Sequence, residues 1–128
     1  MNDPIIDLII SIKNGYMSRK DAIVVNHSSY KAVVVEKLKE LGFIGETKTE
    51  GDKIKKITVS LLYRDGQPAI TGVQLYSKPG KRVYSSYRKL TPVLGGMGYS
   101  FLSTPKGIKT DKESKKLKLG GELLFSLW

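Results

Sequence analysis

Lys56-Ile57-Thr58-Val59-Ser60-Leu61-Leu62-Tyr63 sets Ile57, Val59, Leu61 and Tyr63 at strict intervals of two. Successive side chains of an extended chain point to opposite faces, so this spacing predicts a strand with one apolar and one polar face. Backwards from it, a turn at Glu50-Gly51-Asp52 and the run from Glu46 to Thr49 complete a hairpin. Forwards from it, Arg64-Asp65-Gly66 returns the chain through a third strand ending near Tyr76. An apolar sheet face needs a cover, and two helical patterns ahead of the hairpin supply one. The first carries Ile5, Leu8, Ile9 and Ile12, with Asp3 as N-cap and Pro4 at the first helical position, and is expected to end near Asn14-Gly15. After a short run from Ala22 to Val25, the second extends from Ser28 or Ser29 to Leu41, with Val34, Val35, Leu38 and Leu41 on one stripe and Gly42 as its stop. Residues 1–77 therefore read as helices on one face of a small antiparallel sheet, and the fold class as α+β.

Lys78-Pro79-Gly80 is the sharpest punctuation in the chain, and the expected domain boundary lies there, giving an N-terminal domain over 1–77 and a C-terminal one over 78–128. The second part reads as short strands (Arg82 to Tyr84, Tyr99 to Ser103, Leu123 to Leu127) separated by glycine-rich turns, with one short helix after Thr110. Thr110 and Glu113 have the spacing of a capping box. At 128 residues the chain allows one domain or two small ones, and excludes a large multidomain enzyme.

Charge points to the partner. With 22 Lys and Arg against 12 Asp and Glu, the formal charge is +10, which calls for a polyanion. Residues 78–128 hold 11 basic and 3 acidic side chains, whereas residues 1–77 hold 11 and 9, so the excess belongs to the C-terminal part. The absence of cysteine removes disulfides, thiolate metal sites and cysteine nucleophiles, and a single histidine, His27, leaves little for metal ligation. No cofactor is expected. The longest apolar stretch near the start, Ile5 to Ile12, is broken by Asp7 and Ser11 and is too short for a membrane span. No secretory pattern opens the chain, so the protein is expected to work in the compartment where it is made.

Ser103-Thr104-Pro105-Lys106-Gly107 is the most informative motif. Hydroxyls, a cation and two residues that restrict the backbone follow an apolar strand, a combination that can hydrogen-bond base edges and sugars while Lys106 meets a phosphate. An ordinary turn would contain the same residue types. Ser103 and Lys106 also have the spacing of a serine–lysine nucleophile pair. That chemistry needs a helix, which Pro105 and Gly107 oppose, and neither of its partner motifs occurs. Gly95-Gly96-Met97-Gly98 is followed by a strand rather than a helix, which makes it a chain reversal and not a dinucleotide fingerprint. Glu122, after Gly120-Gly121, offers a carboxylate for general acid or base work if burial shifts its pKa, but no second acid or histidine lies near it in sequence, and it reads at least as well as a support for a neighbouring loop. From Tyr76 onward, Lys78, Lys81, Arg82, Tyr84, Tyr87, Arg88 and Lys89 interleave cations for phosphates with rings for bases or riboses, or else form a solvated strand edge. Lys112, Lys115, Lys116 and Lys118 form a charge run that by itself reads as a face turned to water.

Five separated motifs in order carry a resemblance that runs essentially end to end: Asp3-Pro4-Ile5 with Ile12-Lys13-Asn14-Gly15, Ser77 to Tyr84, Leu94 to Gly98, Ser103 to Ile108, and Thr110-Asp111 through Gly120-Gly121-Glu122. The chain resembles the family of ribosomal protein eight of the small subunit, in its bacterial form. The resemblance implies two α+β domains and a primary binder of small-subunit ribosomal RNA that recognises a stem in the central domain and promotes assembly. It also implies neighbouring small-subunit proteins as partners, and the lack of a transit segment favours the bacterial cytoplasm over an organellar ribosome as the expected location. By the same resemblance Ser103, Thr104, Pro105, Lys106 and Gly107 form the loop that meets irregular base pairs in the minor groove. Glu122 supports that loop, Arg82 and Tyr84 contact RNA nearby, and Asn14 and Lys31 add weaker contacts; Gly121, beside Glu122, and Lys78, from the interleaved run, complete the expected RNA-binding set. Many relatives carry serine at the place of Pro105, and proline removes one hydroxyl and one N–H there. Some relatives bind their own messenger RNA. A generic basic nucleic-acid module and a small serine hydrolase are the rival readings.

Overall fold

A computed structural model of the chain describes residues 4–128, and its elements fall into two compact units, Asn2–Thr71 and Gly72–Trp128.

In the first unit, α1 (Pro4–Met17) and α2 (Ser29–Glu40) accompany a three-stranded antiparallel sheet of β1 (Ala22–Asn26), β2 (Thr47–Glu50) and β3 (Lys56–Ser60), with β3 in the middle. Ile5, Leu8, Ile9 and Ile12 of α1, Val34, Val35 and Leu38 of α2, and Ile57 and Val59 of β3 are buried, as the two periodicities require. The Asp3 cap lies outside the described residues. At α2, Ser28 takes the N-cap and accepts a hydrogen bond from the Lys31 N–H at 3.1 Å. Tyr16, 4% exposed, donates through its hydroxyl to the Phe43 carbonyl at 2.6 Å and accepts from the Leu62 N–H at 3.1 Å. Burial pushes its pKa above the ordinary tyrosine value, and the Leu62 amide pulls the other way.

Two expectations for this unit change. The first helix runs past Asn14-Gly15 to Met17. A Cβ on Gly15 would stand closer than 3.0 Å to side-chain atoms of Ile23 and Leu61, so this glycine admits a close approach and does not stop the helix. The third strand is not part of this sheet. The Asp65-Gly66 turn closes only a two-residue ladder of β4 (Tyr63–Arg64) and β5 (Gln67–Pro68), and β6 (Val73–Leu75) joins the other unit.

The second unit is built on β10 (Gly121–Leu127), which pairs antiparallel with β6, β7 (Tyr84–Ser85) and β8 (Tyr99–Thr104). On the other side of β8 lies β9 (Gly107–Thr110), followed directly by α3 (Asp111–Leu117). The capping box forms: Thr110 Oγ1 accepts from the Glu113 N–H at 3.2 Å, and the Glu113 carboxylate accepts from the Thr110 N–H at 3.1 Å. Phe101 and Phe125, both fully buried, stack at 4.7 Å between centroids, each side chain contributing about 1.5–3 kcal/mol by leaving water. Beside them the Ser126 hydroxyl bonds that of Ser100 at 2.7 Å and donates to the Tyr76 hydroxyl at 3.0 Å, so these three hydroxyls satisfy one another. Among the described residues no helix is long and apolar enough to cross a membrane.

Candidate nucleic-acid interface

The Ser103–Gly107 motif is the tip of a β-hairpin. Thr104 pairs with Gly107 and Ser103 with Ile108, leaving Pro105 and Lys106 as a two-residue turn. Proline, with its fixed φ, enters the turn at little entropic cost, and Gly107 leaves it at φ 102°. The Thr104 hydroxyl donates to the Gly107 carbonyl at 2.7 Å and accepts from the Lys106 N–H at 3.2 Å. Thr104 is only 8% exposed, so its side chain shapes the turn from inside. Lys106 and Gly107 are exposed at the tip, and Ser103 is half-buried at its base. With Ser103 in a strand and Lys106 in a turn, the helical spacing needed by a serine–lysine nucleophile pair is absent here.

β10 supports the turn. Tyr84, Glu122 and Ser103 are direct partners across β7, β10 and β8. Paired residues share a face, so the three form one row about 10 Å long at the usual strand spacing. Glu122 Oε2 lies 3.4 Å from Arg82 Nη1, and the two side chains are 21% and 41% exposed. Tyr84, 72% exposed, presents its ring to solvent, where an unpaired base or a ribose could lie against it. Gly121 sits where a Cβ would come closer than 3.0 Å to the Ser103 carbonyl, which lets the β10 backbone press against the base of the turn.

The Lys78–Lys81 turn brings further charge. Its end residues bond each other both ways at 3.0 and 2.9 Å, leaving both lysines exposed ahead of Arg82. Ser77 fixes this segment to β10. Its hydroxyl, 2% exposed as a residue, accepts from the Val83 N–H at 2.9 Å and donates to the Leu123 carbonyl at 2.8 Å. Sequence reasoning gave Ser77 no role. Its place just before Lys-Pro-Gly was the available signal, since a hydroxyl beside a turn commonly bonds nearby backbone.

Ser103 to Gly107, Gly121, Glu122, Arg82, Tyr84 and Lys78 all belong to Gly72–Trp128. Asn14 and Lys31 belong to the other unit. Asn14 is exposed on α1 and lines a groove of ≈ 370 Å³ with Ser11, Ser18 and Lys20. Lys31 Nζ donates to the Asn26 carbonyl at 3.2 Å. Among the described residues no cluster of three His, Asp or Glu side chains could hold a metal ion. The arrangement suits an anionic, hydrogen-bonding partner: a rigid tip with one cation, a row of polar and aromatic groups, and flanking lysines.

A family model described as ribosomal protein S8 matches residues 3–128. Small ribosomal subunit protein uS8 of Sorangium cellulosum is 44% identical over 100% of this chain and 99% of its own length. The protein of that name from Mycoplasmopsis synoviae is 40% identical over 100% of this chain and 98% of its own. Small ribosomal subunit protein uS8c of Tupiella akineta is 38% identical over 98% of each.

Proposed function

The chain belongs to the ribosomal protein S8 family, constituents of the small ribosomal subunit, and from that premise we propose that it is a primary binder of small-subunit ribosomal RNA. Its target is a stem of the central domain, and holding that stem promotes assembly of the subunit. The role is structural and not enzymatic, and it is carried out in the bacterial cytoplasm beside neighbouring small-subunit proteins. The observation that carries the reading is the Pro105-Lys106 turn, preformed by the Thr104 hydroxyl and backed by β10.

A-form RNA offers a wide, shallow minor groove lined by 2′-hydroxyls, which a narrow hairpin tip can enter. Ser103 and the backbone of Pro105 to Gly107 supply hydrogen-bonding groups for irregular base pairs there. Lys106, Arg82, Lys78 and Lys81 neutralise phosphates and give affinity that falls with salt. Tyr84 offers a ring to a sugar or a base, and Asn14 and Lys31 add contacts from the other unit. Residues 78–128 thus carry most of the recognition. A messenger RNA with the same irregular stem would compete for the same turn.

Filter binding to the cognate stem and to a scrambled stem tests the proposal. A clear preference for the cognate stem is expected, together with co-sedimentation with small subunits that resists moderate salt. Equal affinity for the two RNAs would leave only a generic basic module.

A further inference from the structure

The end of α3 comes close to the turn in space. The chain leaves the hairpin at Thr110, at the end remote from Pro105 and Lys106, and α3 follows immediately. By Gly121 the backbone is packed against Ser103 and Thr104. Consecutive Cα atoms are about 3.8 Å apart, so Lys118 lies within about 11 Å of Gly121.

Lys118 has an unusual backbone. It ends α3 at φ 56° and ψ 45°, and the following N–H, of Leu119, donates to the Ser114 carbonyl at 2.9 Å. This is the Schellman arrangement, whose left-handed residue is ordinarily glycine because a Cβ is strained there. Lys115, Lys116 and Lys118 are all exposed, and none of them takes part in an ion pair among the described residues. Offsetting the carbonyl end of the helix dipole accounts for lysines in the last turn. It does not call for one at the strained position beyond it, where glycine would close the helix more easily.

We infer that Lys118, together with Lys115 and Lys116, forms a phosphate-binding edge that extends the Ser103–Gly107 site along the end of α3 and holds the RNA backbone flanking the stem's irregular pairs. The inference rests on the RNA-binding function proposed above. It gives this lysine run a role that sequence alone did not.

The test uses the full chain and two RNA hairpins, one with the central-domain stem and one scrambled, titrated over a range of potassium chloride. Lys118→Gly is expected to weaken both complexes by the same several-fold factor and to lower the salt slope by about one. Its thermal midpoint is expected at or above that of the parent, because glycine relieves the backbone; lower affinity with undiminished stability separates loss of charge from misfolding. Lys115→Gln with Lys116→Gln is expected to lower the slope by about two. Unchanged slopes in both variants would overturn the inference. So would a loss confined to the cognate stem, since a phosphate contact carries no sequence information. The parent chain's preference for cognate over scrambled RNA judges the underlying function separately.

Discussion

Thr104 and Gly107 close the turn between them: the threonine hydroxyl donates to the glycine carbonyl at 2.7 Å while the two residues also pair across the hairpin. The tip that carries Lys106 is therefore rigid before any partner arrives. Thr104→Ala is expected to loosen the tip and weaken binding to the cognate stem by about 1–2 kcal/mol, the scale of lost internal hydrogen bonds. Thr104→Ser keeps the hydroxyl and should bind nearly as the parent does. Equal losses in the two variants, read by filter binding, would place the effect in the methyl group and not in the bond.

Lys106→Ala removes an exposed cation without touching the core. Affinity should fall by a similar factor for cognate and scrambled stems, and the salt slope should drop by about one. Thermal stability should stay within about 0.5 kcal/mol of the parent, as for most surface changes. A titration at several salt concentrations checks both parts.

Gly121→Ala would force a Cβ against the Ser103 carbonyl and the Thr104 backbone. Overpacking against backbone costs about 1–3 kcal/mol. The expected result is a lower thermal midpoint together with weakened stem binding, because the strand that yields is the one that holds the turn. Chemical denaturation and filter binding on the same preparation measure the two effects.

Tyr16 sets an alkaline limit on the first unit. Its pKa is raised in the folded chain, so the neutral phenol is the favoured form. The stability this contributes is complete below the ordinary tyrosine value and is lost as pH rises through the higher folded value. Tyr16→Phe should cost about 1–3 kcal/mol at neutral pH, because the Phe43 carbonyl and the Leu62 N–H lose a buried partner. It should also flatten the fall in stability above pH 10. Urea titrations at neutral and alkaline pH compare the two proteins.

Periodicity made the helices and most strands legible. Ile5, Leu8, Ile9 and Ile12 mark α1, Ile57 and Val59 mark β3, and Thr110 with Glu113 marks the start of α3, because each pattern depends on neighbours within one element. What lay beyond reach depends on distant partners. β6 became a strand of the second unit because Leu75 pairs with Phe125, fifty residues on. Gly15 read as a stop because nothing local tells a glycine that ends a helix from one that admits Ile23 and Leu61. The four residues of β9 went unseen because half of them suit a turn as well as a strand. In the candidate site, charge and residue type singled out the turn. They left open that the Thr104 hydroxyl points inward and that Ser77 fastens the Lys78–Lys81 segment to β10.

β10 stands between β6 and β8 in the sheet, yet it comes after both in the chain. A polypeptide is made from its amino end, so during translation β6, β7 and β8 wait for the strand that joins them. The unit Asn2–Thr71 has every strand of its own sheet in hand by Ser60 and can order itself on the nascent chain. The second unit closes only once β10 itself has emerged, which makes its folding a late event that waits on a single strand.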